Sequence, residues 1–229
     1  MIQMSDITMR AKGYLRPVIN ENYVKLTGAV VHIYQLPEKS TIVTTIATSG
    51  SGGNHTHYPK VTWFGELAEE FMQKVREKDR ISLLANVQTK RREREGEKAK
   101  YYQNIVGQGF MPTLKKMESA FGLQTGEGQY VEDENEVRLA GTAAHIYKVP
   151  DQEIVVLTIR TFTAGHINMP HIRLFGRNAQ YAMDNIAEGA PVCATGYAYT
   201  NRVEREDGAI DFYDGLTCSS IALAPAEEE

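Results

Sequence analysis

An internal repeat is the feature of this 229-residue sequence that most restricts the fold it can adopt. Segments of the first half recur in the same order in the second half, at first with a spacing of 113 residues and then with a spacing of 111. The matches are NYVKLTG at 22–28 with NEVRLAG at 135–141, HIY at 32–34 with HIY at 145–147, TIAT at 45–48 with TIRT at 158–161, Phe64-Gly65 with Phe175-Gly176, and Tyr102 with Tyr213. Collinear matches of this extent indicate two modules that share one fold.

Each module has the residue pattern of short strands interrupted by one helix. Apolar and polar residues alternate in segments such as Lys60–Phe64, as they do in half-buried strands. Glu66–Lys78 instead places apolar residues at helical spacing, and its counterpart is Asn178–Ala187, with Asn178 as the expected N-cap. Five strands with a helix after the third is the order of an OB barrel. The sequence therefore predicts an all-β fold with short helices, built as two tandem five-stranded OB-fold barrels.

The repeat also divides the chain into five regions. The segment between the two copies is rich in Gly, Glu and Gln, a composition typical of a linker. Residues at both ends of the chain fall outside the copies. The predicted regions are an N-terminal arm at 1–20, OB-fold module 1 at 21–111, a linker at 112–134, OB-fold module 2 at 135–224 and a short acidic tail at 225–229.

The composition indicates an ordinary soluble globular chain, with 42% hydrophobic and 24% charged residues. No apolar run approaches the roughly 20 residues of a membrane span, and the N-terminus lacks the pattern of a signal peptide. The two cysteines, Cys193 and Cys218, cannot form a disulfide framework, so we expect buried thiols in a reducing compartment. These features predict a cytoplasmic protein that does not enter a membrane.

The charges are distributed unevenly along the chain, although the net charge is only −4. Residues 1–118 contain 18 Lys and Arg against 12 Asp and Glu, whereas residues 119–229 contain 7 against 17. Because the local field rather than the net charge governs association with a charged ligand, the basic first half is compatible with binding phosphates.

The sequence contains no residue pattern of a catalytic or metal site. His55 and His57 lie in a loop rich in Gly and Ser, without a Cys or a carboxylate at ligand spacing. The glycines at 50, 52 and 53 are not followed by the Lys-Ser/Thr of a P-loop. No nucleophile–base pair and no carboxylate pair stands out in both modules. We therefore expect neither an enzyme nor a bound cofactor or metal ion.

The order and spacing of these segments resemble the bacterial single-stranded DNA-binding protein (SSB) family. The pieces that carry the resemblance are Asn22–Gly28, Thr45–Ser49, Trp63–Glu69 (WFGELAE) and Val87–Arg91 (VQTKR), with a looser version in module 2. The resemblance implies OB folds that bind and protect single-stranded DNA during replication, recombination or repair, by base stacking and phosphate neutralisation without strong sequence specificity. It also implies a homodimer presenting four OB folds, in a nucleoid-associated protein.

Two features depart from that family. Its members usually end in a long tail whose acidic tip closes on Pro-Phe and recruits repair and replication proteins. This sequence ends in Ala224–Glu229 (APAEEE), so recruitment through a C-terminal tip is not expected. The family also stacks bases on several tryptophans, whereas Trp63 is the only tryptophan here.

Strand parity predicts which side chains face the ligand, because successive side chains point to opposite sides of a strand. Val61 and Trp63 share a wholly apolar side, which belongs in the core. The other side carries Tyr58, Lys60 and Phe64. Aromatic rings combined with a cation suit a surface that stacks bases and neutralises phosphates.

Module 2 repeats this division between inward and outward residues. Its outward residues are His171, Arg173 and Phe175, with Met169 where module 1 has Tyr58. A further difference lies in Lys90–Lys100, where six cations accompany three carboxylates. This segment is interpreted as a basic hairpin along the phosphate backbone, with a merely solvated tip as the alternative. Because the equivalent segment of module 2 has fewer cations, we expect stronger electrostatic binding by module 1.

Together these patterns and the resemblance give one set of expected DNA-binding residues. The set is Lys25, Tyr34, Tyr58, Lys60, Phe64, Lys90, Arg91, Arg92, Arg94, Arg138, Tyr147, His171, Arg173, Phe175 and Arg202.

Two other functions stay open on the sequence. One is an OB-fold adaptor or structural protein of a replication or conjugation complex, with weak or no DNA binding, which the acidic second half favours. The other is RNA binding through the same surface, since stacking does not read the sugar.

Overall fold

The computed structural model describes residues 8–11, 14–17, 20–37, 40–49, 55–92, 100–113, 132–163, 165–205 and 210–224. These ranges contain fourteen strands and two helices. The strands are β1 (Thr8–Ala11), β2 (Tyr14–Pro17), β3 (Glu21–Gln35), β4 (Thr41–Ser49), β5 (Thr56–His57), β6 (Lys60–Phe64), β7 (Arg80–Arg92), β8 (Lys100–Thr113), β9 (Glu134–Lys148), β10 (Ile154–Thr163), β11 (His166–Asn168), β12 (His171–Phe175), β13 (Pro191–Glu204) and β14 (Ile210–Leu223). The helices are α1 (Gly65–Lys74) and α2 (Gly176–Asn185).

The first repeat forms a closed ring of five strands. β3 pairs antiparallel with β4 and with β7, β4 pairs antiparallel with β6, and β7 pairs antiparallel with β8. A parallel pairing of β6 with β8, with Val61 opposite Ile105, closes the ring. α1 follows β6, the third strand of the ring. This is the strand and helix order that the sequence predicts for an OB barrel.

The second repeat has the same order of elements. β10 pairs antiparallel with β9 and with β12, and the order of the remaining neighbours is β12, β14, β13, β9. α2 follows β12. The prediction of an all-β fold with short helices is confirmed.

The compact units of the structure do not coincide with the two repeats. One unit comprises residues 23–137 and 196–217, and the other comprises 1–22, 138–195 and 218–229. The distal part of the β13–β14 hairpin therefore belongs to the unit that contains the first repeat. For this reason the tandem arrangement of complete barrels, with boundaries at 21–111 and 135–224, stays a prediction. The predicted arm contains the β1–β2 hairpin, and most of the predicted linker lies outside the described residues.

Each unit also includes residues that precede the first strand of the other repeat. The side-chain amide of Asn20 donates to the Phe162 carbonyl at 2.6 Å and accepts from the Phe162 N–H at 2.6 Å. In the other unit, the Ser49 hydroxyl donates to the Asp133 carboxylate at 3.0 Å. The repeat spacing of 113 relates these two contacts to each other, so equivalent positions are held in equivalent ways.

Trp63 lies at the centre of the core of the first repeat and is fully buried. Its ring centroid is 4.7 Å from that of Phe71 on α1 and 5.6 Å from that of Phe110 on β8. Its indole N–H donates to the Thr44 hydroxyl at 2.9 Å, so the polar atom is satisfied inside the core. The prediction from parity that Trp63 is a core residue is confirmed.

Gly28 and Gly141 recur in both repeats because two backbones cross closely there. A β-carbon on Gly28 would overlap the carbonyl oxygen of Ala47 on β4, and one on Gly141 would overlap the carbonyl oxygen of Arg160 on β10. The glycine at the end of the recurring seven-residue motif is therefore required by the approach of the first two strands of each ring.

The recurring Phe-Gly pair determines where each helix begins. Gly65 and Gly176 have φ angles of +55° and +50°, a conformation that favours glycine, and they follow an extended phenylalanine. The expectation that Asn178 is the N-cap of α2 is wrong, because the turn at Gly176 starts the helix two residues earlier. Asn178 instead donates from its side chain to the Ser219 carbonyl at 3.0 Å.

Replacing Trp63 by Ala should lower the free energy of unfolding by about 3–5 kcal/mol, because it removes a buried ring that contacts two other rings. Urea unfolding of Trp63→Ala measures this. The neighbouring residue provides the control, since Phe64 is exposed and Phe64→Ala should change the same quantity by no more than about 0.5 kcal/mol. Equal losses for the two variants would contradict the assignment of the faces.

Candidate nucleic-acid interface

Strand register places the aromatic residues of the first repeat on the outer side of β3, β4 and β6. Tyr34 lies opposite Val43, and Val43 lies opposite Thr62. Phe64 is two residues beyond Thr62 on β6 and therefore points to the same side. Tyr34 and Phe64 are 50% and 51% exposed. We call this surface, formed by Tyr34, Val43, Thr62 and Phe64, the first aromatic face.

The second repeat has an equivalent surface on β9, β10 and β12. Tyr147 lies opposite Val156, and Val156 lies opposite Arg173. Phe175 is two residues beyond Arg173 and shares its side of the strand. Tyr147 and Phe175 are both 44% exposed, and Arg173 is exposed as well. These four residues form the second aromatic face.

The two faces place their aromatic residues at equivalent positions. Tyr34 and Tyr147 follow the repeat spacing of 113, and Phe64 and Phe175 follow the spacing of 111. Full burial of a large aromatic side chain contributes about 1.5–3 kcal/mol, and each of these rings, about half exposed, forgoes part of it. Exposed rings at the same two positions in both repeats form a surface on which planar groups can stack.

Lys60, the predicted cation next to the first aromatic face, has an acidic partner. Its ammonium lies 3.5 Å from the Asp214 carboxylate. Asp214 also accepts a hydrogen bond from the Thr200 hydroxyl at 3.0 Å. The Thr200 hydroxyl in turn accepts from the backbone N–H of Tyr58 at 3.2 Å. Two of the predicted site residues of the first repeat, Tyr58 and Lys60, are thus connected to the β13–β14 hairpin.

The protonation of Asp214 reflects this partly buried position. Burial raises its pKa above the ordinary value for an aspartate, while Lys60 and the Thr200 hydroxyl act in the opposite direction. The ionised carboxylate is therefore less favourable at this position than in water, in spite of its pairing with Lys60.

His171 and Arg173 differ in what they offer a phosphate. Burial, and then the charge of Arg173, hold the pKa of His171 below its ordinary value. His171 therefore stays neutral in neutral solution, whereas the guanidinium of Arg173 is permanently charged. The positive charge that these two residues bring to the second aromatic face comes from Arg173.

Lys25 and Arg138 occupy equivalent positions on β3 and β9. The ammonium of Lys25 lies 2.7 Å from the Glu134 carboxylate, and the hydrogen bond to Glu134 raises the pKa of Lys25. Its charge is thus largely matched by an acid. Arg138 is exposed.

The predicted basic hairpin corresponds to the ends of β7 and β8. Lys90 is exposed and lies directly opposite Tyr102, which is 47% exposed. Arg91 and Arg92 end β7, and Arg94 lies outside the described residues. Arg202 lies on β13. The prediction that this hairpin makes the first module the stronger electrostatic site stays a prediction.

Sequence reasoning missed three exposed rings on these hairpins. Tyr102, Phe212 and Tyr213 are exposed to similar extents. The signal for two of them was in the repeat, because Tyr102 and Tyr213 match at the spacing of 111. Phe212 corresponds at the same spacing to Tyr101, whose side chain lies outside the description.

Neither a metal site nor a membrane-spanning helix is found among the described residues. No three His, Cys, Asp or Glu side chains in these ranges are grouped to hold a metal ion. Neither described helix has the length and apolar character needed to cross a membrane. His57 contacts the ring of Tyr197 at 5.3 Å between centroids, and burial lowers its pKa.

Comparison with known proteins gives matches among solved structures alone. No protein-family model and no curated relative matches the sequence. A deletion mutant of the single-stranded DNA-binding protein from Thermus aquaticus matches with a TM-score of 0.61 and 15% identity, over 92% of this chain and 97% of that one. The wild-type protein matches with a TM-score of 0.60 and 14% identity, over the same shares, 92% and 97%. The chain therefore has the fold of the Thermus aquaticus single-stranded DNA-binding protein, an OB-fold protein.

Proposed function

We propose that this protein binds and protects single-stranded DNA without strong sequence specificity, as a binding protein rather than an enzyme. The observation that carries the proposal is the exposed aromatic pair that recurs on both faces, Tyr34 with Phe64 and Tyr147 with Phe175. Each base has a flat π-face, so exposed rings bind bases of any sequence.

The spacing of the rings suits a chain of unpaired nucleotides. Tyr34 and Phe64 lie on β3 and β6, which are about 10 Å apart because β4 lies between them, and Phe64 is offset along β6 by two residues, about 7 Å, from the position level with Tyr34. The second aromatic face has the same separation between Tyr147 and Phe175, across β10. A single strand that crosses these three strands can place one base on each ring. A duplex cannot do so, because its bases are stacked on each other.

Phosphate contacts would come from cations near these rings. Arg173 lies two residues before Phe175 on the second aromatic face, and Lys90 is exposed opposite Tyr102. We propose the same role for Arg91, Arg92, Arg94, Arg138 and Arg202. Each phosphate contact should make the affinity more dependent on salt, because counterions are released from the strand.

The likeness of fold supports this proposal, since both matched structures are of a protein named for binding single-stranded DNA. The match extends over nearly the full length of those chains. By the same reasoning we propose a role in replication, recombination or repair, a nucleoid-associated cytoplasmic location, and a homodimer.

A titration with oligo-dT, oligo-rU and duplex DNA at two salt concentrations tests the function. We expect tight binding of oligo-dT that weakens with salt, and much weaker binding of the duplex. Preference for oligo-rU would make RNA the ligand. No binding of any of the three would contradict the proposal and favour the OB-fold adaptor.

Loss of one ring should weaken binding measurably. Phe64→Ala and Phe175→Ala should each cost about 1–3 kcal/mol of binding free energy for oligo-dT, the range for one lost base stack. Fluorescence anisotropy at fixed salt measures this. Met111→Ala is the control, because Met111 is an exposed apolar residue on β8, outside both aromatic faces. A loss for Met111→Ala as large as for the phenylalanines would contradict the assignment of the site.

The proposed homodimer gives a prediction about mass. Light scattering at micromolar concentration and moderate salt should give twice the chain mass of 25.6 kDa. Two chains would then present four OB modules. A mass equal to that of one chain would contradict the homodimer while leaving DNA binding untouched.

A further inference from the structure

The β13–β14 hairpin approaches the outer side of β6, and the contact is made by specific groups. Asp214 lies 3.5 Å from the Lys60 ammonium, and Thr200 bridges Asp214 to the backbone of Tyr58. The Tyr197 ring lies next to the His57 ring. The hairpin therefore reaches β6 where the sequence places a predicted DNA-binding cation.

A cavity of about 160 Å³ lies beside this ion pair. Lys60, Thr62 and Asp214 line it, together with Gln103, Asn104 and Tyr199. Thr62 is also a member of the first aromatic face, so the cavity borders the surface on which the rings are exposed. Space beside Lys60 means that an incoming phosphate need not displace packed apolar side chains to reach the ammonium.

The acidic partner is specific to the hairpin of the second repeat. At the repeat spacing of 111, Asp214 corresponds to Gln103, a neutral residue, while Thr200 corresponds to another threonine, Thr89. The fold of the hairpin thus does not require a carboxylate at this position. Burial of the Asp214 carboxylate raises its pKa and costs free energy, so stabilising the fold does not account for its presence.

We propose that Asp214 lowers the affinity for single-stranded DNA by pairing with the Lys60 ammonium, which would otherwise bind a DNA phosphate. A carboxylate and a phosphate oxygen compete for one ammonium, so a strand gains the Lys60 contact only by displacing Asp214. Asp214 acts through Lys60 and is a positioning residue, oriented by the Thr200 hydroxyl. This inference rests on the proposed binding of single-stranded DNA.

The consequence is a weaker and less salt-dependent interaction than the cations of the first repeat would otherwise give. With the pair intact, Lys60 releases no counterion from the strand. When a neutral residue replaces Asp214, Lys60 adds one phosphate contact, which steepens the slope of log affinity against log salt by about 0.7 for a single strand.

The test compares Asp214→Asn with wild type in oligo-dT titrations over a series of salt concentrations. Asp214→Asn should bind severalfold more tightly at low salt and have a slope steeper by about 0.7. Asp214→Glu keeps the charge and should restore the wild-type slope. In a Lys60→Gln background, Asp214→Asn should change neither quantity, because the ammonium for which it competes is gone.

Glu70→Gln is the matched control. Glu70 accepts from Lys74 at 2.7 Å on the exposed side of α1, so this variant also removes one negative charge and releases one lysine. It should leave the slope unchanged. If Asp214→Asn and Glu70→Gln give the same slope, or if Asp214→Asn acts equally without Lys60, the inference is wrong.

A second variant weakens the hold on Asp214 without removing its carboxylate, and so tests the same ion pair by a different change. Thr200→Val removes the hydroxyl that orients Asp214 and should steepen the slope by less than Asp214→Asn does. Thermal unfolding of each variant verifies the fold. Wild type that binds oligo-dT, with Asp214 and Thr200 variants of unchanged slope, overturns this inference alone. Absence of oligo-dT binding by wild type and all variants overturns the proposed function together with it.

Discussion

The parallel pairing of β6 with β8 closes the ring of the first repeat, and the position of every candidate binding residue on β6 depends on that closure. In a closed ring each strand has an inner and an outer side, and alternation along β6 then leaves no choice of orientation. Trp63 must point inward, where Phe71 and Phe110 surround it. Phe64 must point outward, and the next residue, Gly65, turns the chain into α1. The same elements of structure that stabilise the core thus expose the ring.

The two aromatic faces share this geometry but differ in charge. The first face has the neutral Thr62 two residues before Phe64, and the nearby Lys60 is paired with Asp214. The second face has Arg173 at the position equivalent to Thr62 and lies in the acidic half of the chain. The charge balance of each half therefore does not describe the charge at its face. Local pairing decides how much of each cation a ligand would meet.

Much of the fold followed from the sequence because its signals are local or repeated. Parity along Lys60–Phe64 was sufficient to separate Trp63 from Phe64, and the repeat gave the order of strands. The start of α2 was wrong because Asn178 resembled an N-cap, while the conformation of Gly176 could not be read from residue type. The partner of Lys60 was missed because Asp214 is distant in sequence and lies on the hairpin of the other repeat. Pairings of that kind depend on tertiary packing, which alternation along one strand does not report.

Each compact unit includes the residues that precede the first strand of the other repeat, so cutting the chain at the linker does not yield two complete units. Residues 1–22 belong to the unit that contains most of the second repeat, and residues 132–137 belong to the unit that contains the first. A gene fragment that ends within the linker therefore encodes neither unit completely. If the chain is cleaved between 114 and 131 and the two fragments are separated, each fragment lacks a segment of its compact unit. Split versions of this protein should consequently be produced together, as complementary fragments, rather than purified apart.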